Sequence, residues 1–134
     1  MTDRPSHFRP GFRTLTPYLT VHDAAGLIAF MGEVFEARET GRTEEDGVIR
    51  NAALEIGDSM VEVSEARGEW PARPGSLHVY LKDVDEVYGR ALNAGATSLH
   101  EPEDMPYGER GAALLDAFGN HWYLATYTGE YAAD

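Results

Sequence analysis

Cysteine is absent from the 134 residues, and that single absence removes disulfides, thiolate metal ligands and a cysteine nucleophile. No apolar run is long enough to cross a bilayer, and the first residues, MTDRPSHFRPGF, lack the apolar centre of a secretory signal. A cytoplasmic location is the expectation. Basic residues are also scarce: 11 Lys and Arg stand against 23 Asp and Glu, for a formal net charge of -12. Phosphate neutralisation needs a clustered cationic excess, so nucleic acid is not an expected partner. The same charge suits a cationic or neutral small ligand, unless it serves only solubility.

What is present is a soluble composition, 43% hydrophobic and 25% charged, in a chain of single-domain length. It divides into two similar halves. Leu15 to Val21 alternates as a strand, Asp23 is an N-cap, and Ala24, Leu27, Ile28, Met31, Val34 and Phe35 recur at helical spacing. Leu77 to Lys82 repeats the strand. Asp83 repeats the cap, with Glu86 placed for a capping box, Val84, Val87, Tyr88, Ala91 and Leu92 form the stripe, and Gly95 closes the helix.

Three strands are predicted after each helix. They are Ala37 to Thr43, Ile49 to Ile56 and Ser59 to Glu65, then Thr97 to Glu101, Arg110 to Asp116 and His121 to Tyr127. The caps Asp23 and Asp83, and the turns Gly57-Asp58 and Gly119-Asn120, recur about 60 positions apart, which marks an internal repeat. The predicted organisation is an arm (1–14), a domain (15–128) made of βαβββ module one (15–66), a Pro- and Gly-rich linker (67–75) and module two (76–128), and a tail (129–134). The arm carries Arg4, Arg9 and Arg13. A frayed terminus is its ordinary expectation, and a strap across a partner its alternative.

PYLTVHDAAGLIAFMGEVFEA, AALEIGDSMVEV, SLHVYLKDVDEVYGRALNAGA and YGERGAALLDAFGNHWYLAT together resemble the vicinal oxygen chelate superfamily, the group of glyoxalase I, bleomycin-resistance proteins and extradiol dioxygenases. The resemblance implies an α+β fold in which tandem βαβββ modules form a curved mixed sheet, with helices outside and a ligand cavity inside. It also implies a homodimer. Strand alternation then sends Leu15, Pro17, Leu19, Val21, Leu77, Val79 and Leu81 towards the helices. The inward set is Thr16, Tyr18, Thr20, Asn51, Met60, Glu62, Ser64, Ser76, His78, Tyr80, Arg110, His121 and Tyr123.

Relatives that use a metal hold it, by this resemblance, through His and Glu on the first and last strands of each module, choosing among Ni, Zn, Fe and Mn. The matching positions are Thr16, Glu62, Ser76 and Tyr123, of which only Glu62 is a strong donor. His78 and His121 lie nearby, but with Ser76 level with Tyr123 they fall roughly four rises of about 3.3 Å apart. No bound metal or other cofactor is expected on this reading. The expectation is a small-molecule binder of bleomycin-resistance type. Thr16, Tyr18, Ser76, Tyr80, Arg110, His121 and Tyr123 are its candidate contacts. The alternative is a lyase, isomerase or dioxygenase of the same superfamily, either dependent on a divalent metal such as Ni, Zn, Fe or Mn or using Glu62 and His78 as candidate bases. Arg110 has two readings, a clamp for an anionic ligand group or an ion pair with Glu62 or Glu109. Trp122 reads as helix-side core, and Trp70 as a lid or dimer contact. A structural module is the third alternative; it predicts a cavity filled by its own side chains.

Overall fold

A computed structural model describes residues 7–129. In chain order the elements are β1 (Tyr18–Val21), α1 (Ala24–Phe35), β2 (Arg38–Glu45), β3 (Val48–Ile56), β4 (Ser59–Glu65), β5 (Ser76–Tyr80), α2 (Val84–Asn93), β6 (Thr97–Met105), β7 (Glu109–Leu115) and β8 (His121–Tyr127). The duplicated βαβββ unit is therefore real. Strands pair only within their own module, giving two four-stranded sheets ordered β1-β4-β3-β2 and β5-β8-β7-β6. In each sheet the first strand joins the last in parallel and the remaining pairs are antiparallel.

Local chemistry sets the element boundaries. Asp23 and Asp83 cap their helices by accepting from the Gly26 and Glu86 amides at 3.0 and 3.1 Å, as the repeat implies. Glu65 adds a second cap to α1, accepting from the Asp23 and Ala24 amides at 2.9 and 2.8 Å. The Glu86 side chain does not close a capping box; it takes Arg90 one helical turn away, at 3.1 Å. Asp46 and Gly47, at φ 54° and 78°, form the two-residue hairpin turn that twisted strands favour, so β2 and β3 run up to it on both sides. β1 is shorter than predicted. Leu15 is 82% exposed and does not cover a helix, because pairing with β4 begins only at Tyr18 opposite Glu62.

Both helices turn their apolar stripes into one shared core. Leu27, Met31 and Val34 of α1, Val84 and Ala91 of α2, and Leu54, Val63, Leu114, Trp122 and Leu124 from the sheets belong to the same buried cluster. Trp122 lies between modules, its ring 4.7 Å from that of Phe35 and 6.3 Å from that of Phe30. Arg90 of α2 adds a polar tie, donating from Nε to the Val34 carbonyl at the end of α1 at 3.1 Å. Gly26 permits a close approach of the modules: a Cβ there would stand 2.9 Å from the Phe118 ring of module two.

The β7–β8 turn is organised by Asp116, which is buried. Its carboxylate accepts from the amides of Phe118 and Asn120, from Asn120 Nδ2 and from Trp122 Nε1, at 2.8 to 2.9 Å. Asn120, fully buried, passes the order on by accepting from the Gly75 amide at 2.9 Å. Charge-assisted hydrogen bonds contribute about 1.5–3 kcal/mol each and are not additive. Asp116→Ala should thus lower unfolding free energy by at least about 3 kcal/mol, since it strands several buried donors at once; a urea midpoint within error of the wild type would contradict this role.

Candidate functional site

With one face of each sheet committed to the shared core, the other faces stay open, and they carry most of the predicted polar residues. In module two, β5 and β8 bring Ser76 beside His121, His78 beside Tyr123 and Tyr80 beside Ala125. His78 and His121 are consequently two residue steps apart along neighbouring strands, closer than the four predicted. The His121 and Tyr123 rings stack at 6.4 Å and those of His78 and Tyr80 meet edgewise at 4.7 Å. The Tyr80 hydroxyl donates to Glu109 at 2.6 Å.

A hollow of about 370 Å³ opens on this face. Its floor is made by small residues, Gly111, Ala113 and Ala125, which β7–β8 pairing sets side by side. Its walls are His78, His100, Met105, Tyr107, Glu109 and Tyr123. Sequence reasoning identifies His78 and Tyr123 and misses the floor. A signal for it exists: Ala125 is in phase with Tyr123 along β8, so the missing bulk falls beside the aromatic wall.

Module one is arranged differently. Tyr18 stands beside Glu62 and Thr20 beside Ser64, with the two hydroxyls 3.3 Å apart. Thr16 precedes β1. Glu62 accepts from Asn51 Nδ2 at 2.9 Å, and the Arg9 guanidinium lies 3.9 Å away. Arg9 in turn covers the Phe12 ring at 4.9 Å, and Gly11 approaches Met60. Residues 9–12 of the arm therefore lie across the Met60–Glu62 half of this face, on their own chain; Arg4 is outside the described residues. Towards the linker the face opens again, into a cavity of about 650 Å³ lined by Tyr18, Thr20 and Ser64 on one side and by linker residues including Trp70 on the other.

Arg110 is the clearest correction. It was expected on the inward face, but the β7–β8 register puts it in phase with Ala112, Leu114 and Trp122, the helix-facing set. There it donates from Nε and Nη2 to both oxygens of Asp85, on the first turn of α2, at 2.9 and 3.0 Å, and from Nη1 to Asp104 at 3.1 Å. Neither Glu62 nor Glu109 is its partner. The source of the error is one of phase: Tyr123 and Arg110 are on strands whose paired residues share a face, and Arg110 pairs with Thr126 rather than with Tyr123 or Ala125.

A divalent metal fits this donor set poorly. Among the described residues no three His, Asp or Glu side chains are grouped to hold one. Glu62 belongs to the first sheet and His78 and His121 to the second, with no strand shared between them.

Hydrogen bonding to Arg110, and secondarily its charge, holds the Asp85 carboxyl below its ordinary 3.8. A depressed carboxylate stabilises the fold above its unfolded pKa and loses that contribution as pH falls through the folded value. Asp85→Asn should therefore be less stable than the wild type at pH 7. The difference should close below pH 3.8 and shrink in 1 M salt, as expected of a solvent-exposed pair. Urea midpoints measured from pH 7 to about pH 2 check this, and a constant gap would refute it.

Comparison with known proteins agrees with this architecture. Residues 6–124 match the family model described as Glyoxalase/Bleomycin resistance protein/Dioxygenase superfamily. An uncharacterised protein of Mycobacterium tuberculosis is 37% identical over 122 residues, covering 82% of this chain and 72% of its own. Among solved structures, TioX from Micromonospora sp. ML1 is similar with a TM-score of 0.72 at 25% identity, covering 84% of this chain and 97% of that one. A mutant of the fosfomycin resistance protein FosX from Listeria monocytogenes, complexed with Mn(II) and a dihydroxypropylphosphonic acid, has a TM-score of 0.65 at 18% identity, over 81% of this chain and 85% of its own. The chain belongs to the glyoxalase/bleomycin resistance protein/dioxygenase superfamily.

Proposed function

We propose that this protein binds a small organic molecule on its open sheet faces without a metal, as a cytoplasmic homodimer. The observation that carries the reading is the module-two hollow, where a floor of Gly111, Ala113 and Ala125 is walled by His78, Tyr107 and Tyr123. Small residues under aromatic walls, with a few polar atoms, make a shape that receives a ligand ring and orients its substituents. The exposed tyrosines of both faces, Tyr18 at 49%, Tyr80 at 60% and Tyr123 at 43%, favour a second copy, which would bury them and enclose the hollows.

A compound library screened by thermal shift should yield ligands that stabilise the wild type; saturation at a hundredfold excess over Kd contributes about 2.7 kcal/mol. Ala113→Phe fills the floor and should abolish the shift for ligands of this hollow, with the fold retained. Failure of every compound, or shifts that Ala113→Phe leaves untouched for all of them, would refute the assignment. Elemental analysis after exposure to Ni, Zn, Mn and Fe should find less than stoichiometric metal. Stoichiometric metal lost in Glu62→Ala or His78→Ala would replace this reading with a chelate enzyme.

A second reading has one observation in its favour. His78 lines the hollow beside Tyr123, a position from which an imidazole can take a proton from a bound substrate. Glu62, the other candidate base, sits beneath the arm and lines neither hollow. Turnover of a bound compound, lost in His78→Gln while binding persists, would convert the binder into an enzyme.

A further inference from the structure

We propose that the module-one cavity, between β1, β4 and the linker, is an oxyanion site for a small aromatic carboxylate or phosphonate. Arg67 and Arg73 hold the charge, and Trp70 and Tyr18 hold the ring. The proposal rests on the reading that the open faces bind small molecules, and it names the chemistry of one of them.

Most of the arginines are already engaged. Arg9, Arg38, Arg42, Arg50, Arg90 and Arg110 each face a carboxylate within 4.0 Å. Among the described residues, Arg13, Arg67 and Arg73 have no such partner, and of these Arg67 and Arg73 line the cavity of about 650 Å³. In a protein of net charge -12, two guanidiniums left without carboxylates on one cavity wall go against the prevailing pattern. The wall also contains Arg50, whose guanidinium is already paired with Glu45.

Two carboxylates share the lining with three guanidiniums, and only one of the carboxylates has oxygens free for other partners. Both Glu65 oxygens are taken by the amides that open α1. Glu69 remains, on the exposed turn of the linker. The hydroxyls of Thr20 and Ser64 add neutral donors to the floor. Guanidinium forks match the two oxygens of a carboxylate or phosphonate, and Trp70 and Tyr18 offer faces for an aromatic body.

The linker is fixed where it needs to be. Ala66 donates its amide to the Val21 carbonyl at 2.8 Å, and Arg67 to that of Trp70 at 2.8 Å with the reciprocal bond closing the turn. Arg73 donates its amide to Thr20 at 2.7 Å, forming an antiparallel bridge along the edge of β1. Backbone held at three points spares a ligand much of the cost of ordering these side chains.

Calorimetric titration of the full chain with phenylphosphonate, benzoate and benzamidine tests the proposal. The two anions should bind saturably and benzamidine should not. Arg67→Gln combined with Arg73→Gln should weaken anion binding at least about tenfold. Because neither side chain is bonded to another described residue, the urea midpoint should not move. Trp70→Phe should remove the fluorescence response to phenylphosphonate. Tighter binding of benzamidine, equal anion affinity in the double variant, or no anion binding would each overturn the oxyanion site. If the anions fail while another ligand is found that Ala113→Phe abolishes, this inference falls and the proposed function stands; if no ligand of any kind is found, both fall.

Discussion

The carboxylate of Asp116 fixes more of this molecule than any other single group. By taking the Trp122 indole N–H and three donors from its own turn, it sets the phase of β8. Trp122 must then enter the shared core against Phe30 and Phe35. Alternation throws His121 and Tyr123 to the other side, where neighbours on β5 are Ser76 and His78. The position of Tyr123 on the open face is thus a consequence of a core hydrogen bond on the opposite side of the sheet. Asn120 carries the same constraint into the linker through Gly75, so module two's last strand and first strand are registered from one turn.

Back-to-back packing does the rest. Two sheets that share one core each turn their other face away from it, and residues on that face are free of the packing that fixes the core. The two modules have diverged there. Module one has the Met60–Glu62 part of its open face beneath Arg9 and Gly11, whereas module two keeps a hollow over small residues.

Much of this was legible in the sequence. The helix caps Asp23 and Asp83, the hairpin glycines and the apolar stripes are local signals, and local signals predicted both helices and all eight strands. The open-face residues Tyr18, Glu62, His78 and Tyr123 followed from alternation once those strands were placed. What failed depended on register or on distance along the chain. Alternation places Arg110 on the wrong face because its phase relative to Tyr123 depends on how β7 and β8 pair, which alternation within one strand does not specify. Leu15 was given a core position that its strand does not reach. The contact of Arg9 with Glu62 joins residues of the arm to β4, and no periodicity encodes it.

The same distinction separates Glu62 from a grouped donor set, since among the described residues no three His, Asp or Glu side chains converge. Donor type can be read position by position, and Glu62 passes that reading. A chelating site needs three strong donors converging on one point, and convergence is a property of the sheets. In this chain the imidazoles lie two residue steps apart in one sheet while Glu62 is held in the other by Asn51, with Arg9 close by. The guanidinium near Glu62 supplies the positive charge that a cation would otherwise bring, and supplies it from the chain itself. A carboxylate with a guanidinium 3.9 Å away already has part of its charge offset, which lowers what a divalent ion gains there.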